Sequence, residues 1–268
     1  MTRPLQAVAV RELVSVVRAR STLVLLAGVT LVTLGIVFAS SAEPDYLPTA
    51  VDLLLPMEFV VPAVAIALGY RTIAADAHRG ELDVLETYPI SAGQYVLGVF
   101  LGRAIALCVL IVLPLTVVGV YVATTSPSQP TFLASHQGID SPIIFVRFVV
   151  LTLLFGLTVL AMAIAASALA SSHRSALVLG IVVLGIVVIG LDLLIIRGFA
   201  GDLVPGSQLT TVLSLSPTSA YRSLVFETVL STAIETDLRQ AAPLHSLLGL
   251  AIWSVASLSI AMVGVGRQ

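Results

Sequence analysis

The sequence contains no lysine, and all thirteen of its basic residues are arginine. A nucleotide-binding P-loop needs a lysine for the phosphates, and an imine-forming enzyme needs one for its covalent bond. The HExxH pattern of zinc hydrolases and the GxSxG pattern of serine hydrolases are missing as well. We therefore expect no catalytic residue in this chain, and if ATP drives it, a separate subunit hydrolyses the ATP.

Cysteine and histidine are also scarce. Cys108 is the only cysteine and lies in an apolar run, which excludes an internal disulfide and a CxxC pair. The four histidines do not fall at ligand spacing, so we predict no metal site and no cofactor held by this chain. A formal net charge of −2 provides no basic field, which argues against nucleic acid as a partner.

Charged residues make up only 10% of the chain, whereas soluble domains carry about 25%. Hydrophobic residues make up 58%, and the mean hydropathy is +1.08. Six apolar stretches approach the roughly 20 residues that a helix needs to span hydrocarbon. We therefore predict an all-α integral membrane protein, with residues 1–268 forming a single transmembrane domain. The predicted spans lie near residues 21–40, 53–70, 96–123, 143–170, 176–196 and 246–265.

The arginines predict how these spans are oriented. Arg3, Arg11, Arg18 and Arg20 precede the first span, while the first two loops on the far side contain acidic residues and no arginine. Positively charged residues favour the cytoplasmic side. We expect a multi-pass protein of the plasma membrane with both termini in the cytoplasm.

Residues 4–20 have the pattern of a basic amphipathic helix. Apolar side chains such as Leu5, Val8 and Val16 form one stripe, and Arg11 and Arg18 lie opposite. This pattern is typical of a helix at the membrane interface, with its apolar face toward lipid. The alternative is a positively charged leader that only sets orientation.

A second amphipathic segment lies between the fifth and sixth spans. Its apolar face is regular from Tyr221 onward and includes Leu224 and Val229, with Arg222 mostly off that face and Pro217 near its start. The segment is too polar to span a membrane and too regular for a loose loop. We predict a helix that lies on the outer surface or dips partly into the membrane.

Four ionisable residues, Glu58, Arg103, Arg147 and Asp192, fall within or near the ends of predicted spans. A charge at the bilayer centre costs about 2.5–3.5 kcal/mol on insertion scales. Both arginines lie near span ends and can reach the headgroups. Asp192 is expected to pair with Arg147 or with Arg197. Glu58 is expected either to face a cavity or to reach the headgroups.

The most charged segment is a polar island, residues 69–98, between the second and third predicted spans. Apolar residues recur there at helical spacing, Gly80 could break the helix, and Pro89 should end it. The pattern predicts a short helical elbow, Arg71 to Tyr95, outside the bilayer. Its candidate contact residues are Arg71, Asp76, Arg79, Gly80, Glu81, Leu82, Leu85 and Pro89. The alternative is a solvated loop whose charges only keep it in water.

The order Asp76, then Arg79-Gly80-Glu81-Leu82, then Leu85 and Tyr88-Pro89 resembles the cytoplasmic coupling elbow of ABC-2-type transporter permeases. The resemblance implies that the elbow docks into a groove on an ABC ATPase subunit, which binds the ATP and Mg²⁺. It also implies a dimer with a second permease copy or with a paralogue. Ala92 and Val99 stand where the family often has a basic residue and a lysine.

A finer resemblance involves Asp192 and the stretch from Leu215 to Arg222. It is similar to the permease of the nitrous-oxide-reductase maturation system (NosY-type), with Ser216 in place of an asparagine. The resemblance implies that the chain couples ATP hydrolysis to export or to a maturation partner on the outer surface.

Two other classes of protein remain as alternatives. An ion-driven secondary transporter would predict inverted repeats, broken helices and charges at the membrane midplane. The sequence has no visible repeat, and its ionisable residues lie toward span ends. An intramembrane enzyme is disfavoured by the missing nucleophile motifs.

Overall fold

The fold is described from a computed structural model that covers residues 2–40, 45–81, 90–125, 141–201, 209–230 and 243–267. Within these residues all regular secondary structure is helical, as predicted. The α-helices are α1 (Thr2–Arg18), α2 (Arg20–Ala39), α3 (Tyr46–Gly69), α4 (Thr72–His78), α5 (Ala92–Thr125), α6 (Pro142–Leu169), α7 (His173–Gly185), α8 (Leu191–Ala200), α9 (Leu209–Leu213), α10 (Pro217–Val225) and α11 (Pro243–Val265). Leu82, Leu85 and Pro89 of the predicted elbow lie outside the described residues, as does the predicted amphipathic face beyond residue 230.

Among the described residues, six helical segments are long and apolar enough to cross a membrane, which confirms the predicted number of spans. Their bounds are Arg20–Ala39, Tyr46–His78, Ala92–Thr125, Pro142–Leu169, His173–Ala200 and Pro243–Val265. The second span continues into α4 after a short break. The fifth joins α7 to α8 through a π-helical turn, Ile186–Gly190, and extends beyond the predicted end at residue 196.

The central helix of the bundle is α6. It packs against α3, α5, α10 and α11, and its Phe148, Phe155 and Leu160 are fully buried. Small residues let its neighbours approach closely. A Cβ added at Gly69 would lie 2.7 Å from the Cβ of Ala163. By contrast, α2, α7 and α11 expose most of their apolar side chains, as expected of helices that face lipid.

A segment that we call the hairpin, residues 209–230, lies between the fifth and sixth spans and consists of α9, a turn and α10 with the π-helical turn that follows it. Ser216 caps the N-terminus of α10, and Pro217 occupies the first helical position, where proline costs nothing. The hydroxyl groups of Tyr221 and Thr152 are 2.9 Å apart, and the ring of Tyr221 stacks on Phe155 at a centroid distance of 4.9 Å. Because Thr152 and Phe155 lie near the middle of α6, α10 begins deep in the bundle.

Because of this placement, most side chains of α10 are buried. Tyr221 and Val225 are fully buried, and Leu224 is 2% exposed. The segment therefore dips into the bundle instead of lying on its outer surface. As far as the structure describes this segment, α10 ends at Val225 and continues as a second π-helical turn, Phe226–Leu230.

Candidate functional site

The elbow is fixed to the central helix at its first turn. The backbone N–H groups of Ile73 and Ala74 both donate to Oγ of Ser167, at 3.1 Å each. Ser167 is fully buried on α6, so it supplies an acceptor to amide groups that have no partner inside α4. Ser167 was not among the residues predicted from the sequence. A single serine in an alanine-rich run is too common to be informative.

Asp76 joins the elbow to two further helices. Its carboxylate accepts hydrogen bonds from Arg11 on α1 at 2.5 Å and from the Tyr95 hydroxyl on α5 at 2.7 Å. Arg79, one turn later on the elbow, donates to it at 2.6 Å. Asp76 is only 4% exposed. It was predicted as part of the ATPase contact, but the structure places it inside, where it positions the elbow.

Glu12 and Arg103 form a second buried pair beside Asp76. Nε and a terminal nitrogen of Arg103 lie 2.9 and 2.8 Å from the Glu12 carboxylate, and the other terminal nitrogen donates to the carbonyl of Leu68. Arg103 therefore connects α1, α3 and α5. We predicted that it would extend to the headgroups, and it does not. Arg11 also contacts Glu12, at 2.9 Å, which links the two pairs into one network.

The two arginines that bind Asp76, Arg11 on α1 and Arg79 on the elbow, stay charged. Burial alone would lower the pKa of Arg11, but the adjacent Asp76 and Glu12 carboxylates outweigh it and raise the pKa above its ordinary value. Desolvation also lowers the pKa of Arg79, and Glu81 with Asp76 raises it more. The arginines of the network that positions the elbow therefore keep their positive charge.

The tip of the elbow is exposed. Gly80 has a φ of 69°, a backbone conformation that favours glycine, and it turns the chain away from the end of α4. Arg79 and Arg11 both reach Glu81, at 2.7 and 2.9 Å. Arg71, His78 and Arg79 are exposed and Asp76 is buried, so the exposed part of the described elbow carries two arginines beside the half-buried Glu81.

Two glycines on the third span, Gly98 and Gly102, let α1 pack closely against α5. A Cβ on Gly98 would lie 2.8 Å from the Cβ of Val8, and a Cβ on Gly102 would lie 2.4 Å from the carbonyl oxygen of Ala9. The first helix thus packs its Val8 face on α5 next to the elbow. Val10 and Val17, on the other side of α1, are 59% and 62% exposed.

We expect Gly102→Ala to displace α1. The new methyl group would overlap Ala9 and would lie 2.7 Å from the Cβ of Glu12, so the Glu12–Arg103 pair must shift. Overpacking of this kind costs about 1–3 kcal/mol. Thermal unfolding of the purified protein in detergent measures it. Gly28→Ala is the matched control, since nothing lies within 4 Å of its added Cβ. Equal melting temperatures for the two variants would contradict the close contact.

A second polar cluster, which we call the clasp, consists of Glu58 on α3, Asp192 on α8 and Arg222 on α10. Arg222 donates to both carboxylate oxygens of Glu58, from Nε at 2.7 Å and from a terminal nitrogen at 2.5 Å. The same terminal nitrogen lies 3.8 Å from Asp192. Glu58 is 6% exposed and sits near the middle of α3, so it neither faces an open cavity nor reaches the headgroups.

The predicted partners of Asp192 were wrong. Its carboxylate accepts hydrogen bonds from the hydroxyls of Ser216 at 2.5 Å and Ser219 at 2.8 Å. Arg147 donates instead to the carbonyl of Thr228 at 3.2 Å, and Arg197 is exposed. The N-terminus of α10 thus points at a carboxylate, which the positive end of a helix dipole stabilises.

Both π-helical turns take part in holding the hairpin. Thr218 donates to the carbonyl of Val187, inside the turn of the fifth span, at 2.7 Å. Arg147 binds the carbonyl of Thr228, inside the turn that follows α10. A π turn displaces a carbonyl from the regular hydrogen-bond ladder, which leaves it able to accept a bond from another element.

The described residues contain no group of three or more His, Cys, Asp or Glu side chains that could hold a metal ion. Cys108 is a free, half-buried thiol within the third span. The two polar networks are therefore built from ion pairs and hydroxyl groups, and their evident chemistry is to join helices.

Six candidate spans within the described residues, with a short charged helix at the end of the second and the hairpin before the sixth, define a multi-pass membrane protein. The chain belongs to the ABC-2 family: residues 6–265 match the family model described as ABC-2 family transporter protein. This match confirms the resemblance on which the elbow was predicted. The chain is thus a membrane subunit of the ABC-2 transporter family.

A curated relative supports the finer resemblance over a short stretch. The chain is 41% identical over 49 residues to the "Probable ABC transporter permease protein NosY" of Pseudomonas aeruginosa. The matched stretch covers 18% of this chain and 18% of that relative.

Proposed function

We propose that this chain couples ATP hydrolysis by a separate ABC ATPase to export, or to the maturation of a partner protein at the outer surface as in NosY-type systems. The single observation that carries the proposal is the mounting of the elbow. Ser167 and Asp76 fix α4 to α1, α5 and α6, while the tip at His78 to Glu81 stays exposed. A push on such a tip moves several helices instead of bending a loop.

The clasp connects α3 to the hairpin, so movement of the elbow can be transmitted to the hairpin through α3. Between Glu58 and Gly69, α3 is continuous, which is about 16 Å of helix along its axis. Movement of α3 at its elbow end is carried to Glu58, and the two hydrogen bonds to Arg222 pass it to α10. The hairpin then shifts against α6, on which it packs through apolar side chains.

The remaining features of the proposed assembly follow the family. Two permease copies, or this chain and a paralogue, pair about a two-fold axis, the commonest symmetry of soluble oligomers. ATP and Mg²⁺ are bound by the ATPase and not by this chain. The protein lies in the plasma membrane with its termini and elbow in the cytoplasm, and the hairpin opens toward the outer side, where an accessory protein binds.

An ion-driven carrier is the rival function, and one observation favours it. The clasp places charged residues near the middle of α3, whereas the sequence analysis expected charges toward span ends. The ABC-2 family match weighs against this rival, because it covers nearly the whole chain.

A photo-reactive amino acid in place of His78 tests the proposed docking. On irradiation of membranes that contain both subunits, we expect it to cross-link to the ATPase, because His78 is exposed at the elbow tip. The same amino acid in place of Leu244, which is 71% exposed at the opposite end of the bundle, should give no ATPase cross-link. Cross-linking from Leu244, or none from His78, would show that the docking surface or the orientation is wrong.

A further inference from the structure

The clasp holds two carboxylates and one arginine. Arg222 binds both carboxylate oxygens of Glu58, at 2.7 and 2.5 Å, and the same terminal nitrogen lies 3.8 Å from Oδ2 of Asp192. A direct bond between such groups is about 2.7–2.9 Å long, so a shift of about 1 Å would bring the guanidinium into contact with Asp192. The Arg222 side chain is 38% exposed and is therefore not enclosed on every side.

Asp192 is already oriented to receive the arginine. Ser216 and Ser219 both donate to its Oδ1, so Oδ2 is the oxygen that faces Arg222. These two bonds also join α8 to α10, and a third bond from α10 reaches the π-helical turn that precedes α8. Asp192 and Arg222 therefore lie on two helices that are tied together.

Glu58 lies on α3, at a place where that helix is able to bend. Pro56 and Pro62 are both inside α3. Because proline has no N–H, Pro62 cannot donate the regular helical bond to the carbonyl of Glu58, and helices kink at such positions. By contrast, α10 is held on α6 by the stacked ring and the hydroxyl group of Tyr221. Of the three clasp residues, Glu58 is thus the one on the more pliable element.

A bend of α3 would otherwise leave the arginine unpaired. Removing one partner of a buried ion pair is costly because the remaining charge has no compensation. Asp192 can supply that compensation without any movement of α8 relative to α10. The second carboxylate is therefore placed where it can take over the arginine as Glu58 withdraws.

We propose that Arg222 exchanges Glu58 for Asp192 when α3 bends between its two prolines, so that the clasp is a switch with two positions. In the first position α3 is tied to α10, and in the second it is released while Arg222 stays paired. The inference rests on the proposed function for the force that bends α3, which comes from the elbow. The exchange itself involves only residues of this chain.

The test is the distance between nitroxide spin labels at Leu55 on α3 and Leu194 on α8, measured in nanodiscs without the ATPase. Both positions are exposed, and Cys108→Ala removes the native thiol. Labelled chains are diluted into unlabelled ones so that the distance is measured within one chain. We expect Glu58→Gln to populate a second, longer distance about tenfold more than the wild type does.

Asp192→Asn decides whether the arginine is received by Asp192. In the Glu58→Gln background it should remove most of the second distance, because Arg222 then lacks a carboxylate in that position as well. Ser219→Ala in the same background is the matched control. It removes one bond to Asp192 but keeps the carboxylate, so the second distance should persist.

Two results would overturn the exchange. One is an equal population of the second distance in Glu58→Gln with and without Asp192→Asn. The other is an equal loss caused by Ser219→Ala and by Asp192→Asn, which would assign the effect to the bonds between α8 and α10. Glu58→Asp, which withdraws the carboxylate by one methylene, should shift the population in the same direction. It decides the matter if Glu58→Gln does not fold, and an unchanged population would then contradict the exchange.

The proposed function is tested separately by adding the ATPase and ATP to the labelled wild type. The second distance should then increase. If it does not, while the variants of the permease alone behave as expected, the exchange stands and the path from the elbow to the clasp is wrong.

Discussion

Arg222→Gln is expected to cost the purified protein about 3 kcal/mol of stability, the low end of the 3–5 kcal/mol lost when one partner of a buried ion pair is removed. The change takes both hydrogen bonds from Glu58, which is 6% exposed near the middle of α3. The low end applies because the Arg222 side chain is 38% exposed and keeps some access to solvent.

The comparison that isolates the pair is a double-mutant cycle. Glu58→Gln with Arg222→Gln removes both charges, so the double variant should be more stable than the sum of the single changes predicts. Arg222→Lys should recover only part of the loss, since an ammonium cannot reproduce the two parallel bonds of the guanidinium. Arg197→Gln, at an exposed position on α8, should change stability by less than about 0.5 kcal/mol.

Thermal unfolding in one detergent, followed by the fluorescence of Trp253, measures the wild type and all of these variants. Trp253 is well placed because its Nε1 donates to the carbonyl of Leu215, at the turn of the hairpin. Additive single changes would show that Glu58 and Arg222 are not coupled and that the hairpin is held by its other contacts.

The number of spans and the existence of the elbow were accessible from the sequence because both depend on local composition. Runs of apolar residues identify a spanning helix wherever it packs. Likewise, the GxxxG spacing of Gly98 and Gly102 is visible in the sequence and favours a close helix contact, although it does not indicate that α1 makes it. These inferences needed no knowledge of which elements become neighbours.

The ion pairs were not accessible, because they depend on neighbours far apart in the chain. Glu58 and Arg222 are separated by 164 positions. Asp192 was expected to pair with an arginine from the same side of the membrane. Instead, two serine hydroxyls at the start of α10 donate hydrogen bonds to its Oδ1. Neither serine stands out by composition.

The first helix shows the same limit. Its apolar stripe predicted a lipid-facing side, but Val8 and Val16 are buried, and Glu12 lies between them at 5% exposure. This buried carboxylate is paired with Arg103, which comes from another helix, and with Arg11 of its own helix. Helical periodicity identifies a face but not what covers it.

Asp76→Ala is expected to loosen the elbow. Arg11, Arg79 and the Tyr95 hydroxyl all lose their acceptor, and Tyr95 is 2% exposed, so its O–H is left without a partner inside the protein. An unsatisfied buried group costs about 1–3 kcal/mol. Local opening of α4 should therefore become about tenfold to a hundredfold more frequent.

Hydrogen exchange at the amides of α4 measures this opening directly. Glu81→Ala is the matched control, because it removes two ion pairs of the same arginines at a position that is 38% exposed, where such pairs contribute at most about 1 kcal/mol. Its exchange should rise by less than about fivefold, and Asp76→Asn, which keeps one acceptor oxygen, should fall between the two. Equal exchange in Asp76→Ala and Glu81→Ala would mean that Ser167 alone holds the elbow. The push from the ATPase would then enter the bundle through α6 and not through α1 and α5.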